Sequence, residues 1–181
     1  MELDKKLFEI INSYELPPFV TEVSLYIHGF KHVEVAFFLF CLVLGCVLLG
    51  SPKKGLQASI AACIAAVVPF LAAPHLQALF LRPYPYLNDA LIVKLRTEPL
   101  TDLSSFPLSS VTLMSAVAVA LIYYFPKYSA LVILGSVLYT LLPVHLGVAF
   151  PSDAFGSFAL GCVFSYFLMN ALGQVNYFKR F

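Results

Sequence analysis

Five apolar runs constrain this chain more than any other feature. They cover about 32–50, 56–81, 108–125, 129–149 and 152–173. A helix needs about 20 consecutive apolar residues to cross a hydrocarbon core of about 30 Å. The runs meet that length, and short breaks at Ser51-Pro52-Lys53-Lys54-Gly55 and Pro126-Lys127-Tyr128 separate them, with Pro143 interrupting the fourth. Composition agrees: 60% of the 181 residues are hydrophobic, 12% are charged and the mean hydropathy is +0.87, whereas a soluble domain carries roughly 25% charged residues. The expected fold is all-α and integral to the membrane. It is a bundle of five to six transmembrane helices with an N-terminal interfacial amphipathic helix, all within one domain of residues 1–181.

The first thirty residues are read separately from the bundle at 31–181. In 3–13, helical spacing puts Leu3, Leu7, Phe8, Ile10 and Ile11 on one face and the charges on the other, as in a helix lying in the membrane interface. Pro17-Pro18 ends this helix, and 19–30, with Glu22 and His28, is a second helical stretch, short and polar for a span; whether it adds a sixth crossing decides where the N-terminus sits. The start lacks the apolar h-region of a cleavable signal peptide. A net charge of +1 gives no reason to expect nucleic acid as a partner. Cys41, Cys46, Cys63 and Cys162 lie in apolar runs without Cys-x-x-Cys pairs, so neither a disulfide nor a metal site is expected.

Most of the remaining polarity sits in the loop 83–107, with Asn88, Asp89, Lys94, Arg96, Glu98 and Asp102. Five spans put this loop and 143–153 on one side, and Lys53-Lys54, Lys127 and the Lys179-Arg180 tail on the other. The positive-inside rule makes the second side cytoplasmic, and Lys5-Lys6 favour placing the N-terminus there too.

Ionisable residues near a membrane are costly unless satisfied, which makes them functional candidates. His75 lies seven residues before Arg82, two turns along one helix, so both should project towards one side before Pro83 ends the helix. Arg82 can bind phosphate in bidentate fashion or snorkel to lipid headgroups. Pro107 is expected to open a helix with Ser109 and Ser110 in its first turn. They would there line an anion site or serve as caps. His145, just after Pro143, is a core histidine or a reactive one. Asp153, after Pro151-Ser152, can cap the last helix.

Taken together, His75-x6-Arg82-Pro83, Phe106-Pro107-Leu108-Ser109-Ser110 and Leu142-Pro143-x5-Ala149-x3-Asp153 resemble the three-part signature of the type-2 phosphatidic-acid phosphatase superfamily, which shares its core with vanadium haloperoxidases. That signature reads Lys-x6-Arg-Pro, Pro-Ser-Gly-His and Ser-Arg-x5-His-x3-Asp. Gly147-Val148-Ala149-Phe150-Pro151-Ser152-Asp153 stands where the family often has Gly-Val-His-Tyr-Pro-Ser-Asp. The gaps fit as well, with 23 residues between Pro83 and Pro107 and 31 between Ser110 and Leu142. Leu7-Phe8-Glu9-Ile10-Ile11-Asn12 is similar to the start of small bacterial members, so the resemblance covers nearly the whole chain.

The resemblance implies a metal-independent, cofactor-free lipid-phosphate phosphohydrolase fold with degenerate catalytic motifs. The phosphate-binding lysine position holds His75, Arg82 is kept, and the second arginine position holds Pro143. The general-acid histidine position holds Ser110, preceded by Ser109 and Leu108. The nucleophilic histidine position holds Ala149, and Asp153, its orienting aspartate, is kept. Loss of a covalent nucleophile costs about 10⁴–10⁶ in rate, and loss of the acid about 10²–10⁴. His145 is a candidate substitute, one helical turn before Ala149. The expected protein is a catalytically degenerate lipid-phosphate-binding or accessory protein, with His75, Arg82, Ser109 and Ser110 as phosphate ligands. The alternatives are an active phosphatase with a rearranged site, acting on phosphatidic acid, a prenyl pyrophosphate or lipid A, and a purely structural subunit. Expected partners are membrane lipids, a lipid or prenyl phosphate, or another membrane protein, at the bacterial cytoplasmic membrane with the motif face outside.

Overall fold

A computed structural model describes residues 2–29, 52–88, 91, 93–97 and 104–174. The first apolar run, 32–50, and the basic tail after 174 lie outside the described residues, as do Cys41 and Cys46. The described elements are helices: α1 (Glu2–Ser13), α2 (Pro18–Gly29), α3 (Pro52–Phe80), α4 (Ser109–Tyr124), α5 (Ser129–His145) and α6 (Pro151–Gly173). Short 3-10 turns occupy Pro85–Leu87 and Pro126–Tyr128. Among the described residues, three stretches are long and apolar enough to cross a membrane: Gly55–Leu87, Pro126–His145 and Pro151–Gly173. The 16-residue α4 is apolar but shorter, rising about 24 Å at 1.5 Å per residue.

α4 is the centre of the bundle, and small residues let its neighbours close on it. Ala58, Ala61, Ala62 and Ala65 of α3 are buried against Leu113, Ala116, Val117 and Ala120 of α4. Their spacing of three and four puts the alanines on one helical face. On the other side, a Cβ at Gly161 of α6 would stand 2.0 Å from Ser115 Oγ and 2.2 Å from the Thr112 carbonyl. Only glycine permits that approach, and small residues at a helix contact are what lipid-embedded bundles use. Ser165 adds a hydrogen bond across the seam, its hydroxyl donating to the Ala116 carbonyl at 2.7 Å. Leu131, Ile133, Leu134 and Leu138 of α5 are exposed, as a lipid-facing surface requires.

Helix ends follow the turn chemistry. α5 runs through Pro143 and stops at His145 in a Schellman motif. Val148 N–H donates to the Pro143 carbonyl at 3.0 Å and Gly147 N–H to the Val144 carbonyl at 3.1 Å, with Gly147 at φ +86°. Left-handed glycine there is the ordinary means of satisfying the last carbonyls. Pro151 then starts α6 as its first residue, where its missing N–H costs nothing.

α1 docks across the motif end of this bundle. Phe8 is fully buried with Leu108, Val111, Val144, Ala149, Phe150 and Ala154. Asn12 is buried too: its Nδ2 donates to the Lys94 and His145 carbonyls at 3.1 and 3.0 Å, and its Oδ1 accepts from Lys94 N–H at 2.8 Å. The expected single apolar face of α1 is thus split. Leu3, Leu7 and Ile10 are exposed, while Phe8 and Ile11 face inward between Asp4 and Asn12. The side assigned to the N-terminus is also corrected. α1 lies at the motif end, not with Lys53-Lys54, because these inward contacts outweigh the weak bias of Lys5 and Lys6.

Candidate functional site

The site begins where α3 ends. Leu81 takes a left-handed φ of +45°, and Arg82, preceding a proline, is disfavoured in helical conformation. Arg82 therefore leaves the helix axis. Its N–H donates to Ser104 Oγ at 2.8 Å, and its carbonyl accepts from Ser105 N–H at 2.9 Å. Tyr84 Oη donates to the Ser104 carbonyl at 3.0 Å. The segment before Pro107 thus clamps the arginine's backbone on both sides.

The guanidinium then gathers three elements. Nη1 donates to Asp153 Oδ1 at 2.5 Å and to Ser152 Oγ at 2.9 Å, both at the head of α6, and Nη2 donates to Asp4 Oδ2 of α1 at 2.7 Å. Its Cζ lies 4.9 Å from the centroid of the Phe150 ring, a cation–π distance, and that ring rests on Phe8 at 5.6 Å. Asp153 is only 1% exposed, and its second oxygen accepts from Ser105 Oγ at 2.7 Å. Asp4 is held further, with Oδ1 accepting from Ser152 N–H at 3.0 Å and Oδ2 from Ser152 Oγ at 2.6 Å. Burial works to raise the Asp4 pKa, but the Ser152 bonds and the Arg82 charge outweigh it and hold the carboxyl below its ordinary value.

Of the motif residues, the structure joins Arg82 and Asp153 directly. Asp153 sits in the first turn of α6 but does not cap it; its side chain turns to Arg82 and Ser105. Ser109 and Ser110 are half-buried in the first turn of α4. Two expectations about them are corrected. The cap is Leu108, with no side-chain cap bond. Pro107 lies before the helix, joined to Phe106 by a cis peptide bond. Leu108 N–H is satisfied instead by Ser157 Oγ at 2.8 Å and the Pro107 carbonyl by Gln77 Nε2 at 3.0 Å. His75 is exposed on α3, and the expected shared side with Arg82 is lost because the helix stops at Phe80.

His145 is corrected as well. It is the last residue of α5, so no helical turn carries it to Ala149. It is 4% exposed, its Nδ1 lies 3.5 Å from the Ile11 carbonyl, and its Nε2 is buried without a hydrogen-bond partner among the described residues. Its backbone carbonyl accepts from Arg96 Nη1 at 2.6 Å and from Asn12. Asn12 is eight residues beyond Asp4 on α1, about 12 Å along the axis, which separates His145 from the Arg82 cluster. Ala149 is fully buried in the Phe8 cluster. Among the described residues no group of three His, Cys, Asp or Glu could hold a metal ion.

Four residues of the network escaped the sequence reading: Asp4, Ser105, Ser152 and Asn12. For α1 the signal was present. Asp4, Phe8, Ile11 and Asn12 recur at helical spacing, with a polar residue at each end of the inward face.

Comparison with known proteins settles the fold. No family model matches the chain, and no curated protein sequence matches it. Two solved structures do. One is LpxE of Aquifex aeolicus, 22% identical, with a TM-score of 0.64 over 91% of this chain and 93% of that one. The other is the first transmembrane PAP2-type phosphatidylglycerolphosphate phosphatase from Bacillus subtilis, 18% identical, with a TM-score of 0.67 over 98% of this chain and 88% of that one. The chain has the type-2 phosphatidic-acid phosphatase fold. In this chain the ends of α3 and α5 and the heads of α4 and α6 carry the three sequence stretches singled out above. The motif end with its Arg82–Asp153 pair is therefore where the candidate site of this membrane protein lies.

Proposed function

We propose that this phosphatase-fold membrane protein binds a lipid or prenyl phosphate without hydrolysing it, alone or as an accessory to another membrane protein. The observation that carries the reading is the state of Arg82. It pairs with Asp153, the residue that would orient a nucleophilic histidine, and the nucleophile position holds buried Ala149. Alanine has no lone pair to attack phosphorus. Asp153, without an imidazole to orient, serves the arginine instead.

Arg82 is the proposed anchor for the phosphate, and Ser109 and Ser110 at the head of α4 are its proposed neighbours; His75, exposed on α3, is proposed to stand outside the donor set. A bacterial cytoplasmic membrane is the proposed location. Lys5, Lys6, Lys94 and Arg96 stand at the motif end and Lys53, Lys54 and Lys127 at the other, so charge no longer decides which end faces out. Labelling an introduced cysteine in the turn Pro126–Tyr128 with an impermeant reagent decides it.

The hydrolysis test uses protein reconstituted in nanodiscs with phosphatidic acid, phosphatidylglycerol phosphate or undecaprenyl pyrophosphate. Released phosphate is expected at background level, in line with a loss of about 10⁴–10⁶ in rate. Turnover above background that disappears in His145→Ala would overturn the reading in favour of a rearranged active site.

A further inference from the structure

α1 brings an anion of its own to the arginine. The Asp4 carboxylate receives three donors: Arg82 Nη2 at 2.7 Å, Ser152 Oγ at 2.6 Å and Ser152 N–H at 3.0 Å. A guanidinium, a hydroxyl and a free N–H at a helix start are also the donors that phosphate oxygens accept. Asp4 is thus held as a bound anion would be, by residues 78 and 148 positions away in the chain.

Charge makes the two occupants exclusive. Arg82 contributes +1, and Asp4 and Asp153 contribute −1 each, leaving a sum of −1 at the cluster. A phosphate monoester brought beside that sum is repelled, and at a few ångströms the repulsion is not negligible even near the surface. With the Asp4 carboxylate removed the sum is 0, and the donors at Arg82 and Ser152 are free. The arginine is also reachable, since its side chain is 33% exposed while that of Asp4 is 14% exposed.

The mounting of α1 suits such an exchange. Its far end is pinned by buried Asn12 to the Lys94 and His145 carbonyls. Its near end carries exposed Leu3 and Leu7 around Asp4, so the charged contact holds that end while Phe8 holds the middle. The lowered Asp4 pKa agrees with a carboxylate kept ionised by its donors.

We propose that Asp4 is an internal anion latch, occupying the Arg82–Ser152 donor set, and that a phosphate-headed lipid binds there by displacing it and releasing the start of α1. The proposal rests on the reading of the protein as a lipid-phosphate binder. It adds the donor set, the competitor and the moving element.

The test compares full-length wild type, Asp4→Asn and Asp4→Ala in detergent micelles. Calorimetry measures binding of dioctanoyl phosphatidic acid and of inorganic phosphate, with dioctanoyl phosphatidylcholine as a control lacking a phosphate monoester. Both variants are expected to bind phosphatidic acid about tenfold more tightly than wild type, because the competitor is gone. Amide hydrogen exchange in 2–8 of wild type is expected to rise when phosphatidic acid binds. Equal tightening for inorganic phosphate supports a site that reads the phosphate group itself, and tightening for phosphatidic acid alone supports one that also needs the acyl chains. Unchanged or weaker binding by both variants overturns the latch, as does α1 exchange that stays constant or falls on binding. Failure of every protein to bind any phosphate also overturns it. Hydrolysis by wild type defeats the functional reading separately, leaving the latch to the affinity comparison.

Discussion

The α3–α4–α6 seam and the motif end solve the same problem of membrane burial by opposite means. Along the seam, close approach rests on small residues, with four alanines of α3, Ala116 and Ala120 of α4 and Gly161 of α6, and a single Ser165 hydrogen bond to the Ala116 carbonyl crosses it among the bonds described. At the motif end the chain buries Asp153 and Asn12 and half-buries Arg82, and satisfies them with named partners. Apolar lipid tails give no hydrophobic drive for helix association, so the seam depends on close approach. The motif end depends on hydrogen bonds, each of which leaves a costly orphan if broken. The seam therefore specifies how the helices stack, and the motif end specifies what is presented at their ends.

Gly161→Leu breaks the first half of that contrast and should have the largest effect. A Cβ 2.0 Å from Ser115 Oγ and 2.2 Å from the Thr112 carbonyl cannot be accommodated by a rotamer change, since one obstacle is backbone. α4 and α6 must separate, at a cost of about 3 kcal/mol or more. Loss of the monodisperse peak in size-exclusion chromatography is the expected outcome. A variant with wild-type elution and melting temperature shows that the seam tolerates separation and that close approach does not hold it.

Asp153→Ala breaks the second half. It leaves Ser105 Oγ without its acceptor and removes one of the two carboxylates on Arg82. Removal of one partner of a fully buried pair costs about 3–5 kcal/mol. Arg82 is a third exposed and keeps Asp4, so about 2–3 kcal/mol is expected. The loss is read as a lowered melting temperature with an unchanged elution volume. A melting temperature within error of wild type would mean that the pair contributes nothing to stability.

The same contrast governs what was legible in the sequence. The seam announces itself through length and apolarity, so the described helices fall near 56–81, 108–125, 129–149 and 152–173, although the 16-residue α4 is shorter than a full span. The three motifs, by their spacing, also reveal the fold. The motif end is less legible because its geometry depends on how helices stop. Leu81 in a left-handed conformation turns Arg82 away from His75, and Gly147 ends α5 before Ala149. Both stops break helical-spacing arguments that treat a motif as one continuous helix. Asp4 was hidden for another reason: its spacing with Phe8 and Asn12 marks an inward face of α1, but nothing local names partners that lie 78 and 148 residues away.

A milder probe of the motif end is pH. Asp4 has a lowered pKa in the folded protein, so its contribution is fully present above the ordinary carboxylate value of about 3.9. It is lost as pH falls through the lower folded value. The effect should be on the order of 1 kcal/mol, as for a partly exposed ion pair with added hydrogen bonds. Protection of the amides in 2–8, taken relative to their intrinsic exchange rates, should fall on acidification below about pH 4, and Asp4→Asn should remove that dependence. An identical acid response in Asp4→Asn would place the titrating group elsewhere.

His75→Ala should have the smallest effect and sharpens the boundary of the site. The residue occupies the family's lysine position, yet it is exposed on α3 while Arg82 is drawn towards α1 and α6. An exposed substitution away from packed or hydrogen-bonded groups changes stability by no more than about 0.5 kcal/mol, and alanine suits a helix. The informative measurement is phosphatidic acid affinity in the Asp4→Asn background, where the donors at Arg82 and Ser152 are open. If His75 lies outside the donor set, His75→Ala leaves that affinity within about twofold. A tenfold loss would bring His75 to the bound phosphate. It would also mean that the end of α3 rearranges when the anion enters.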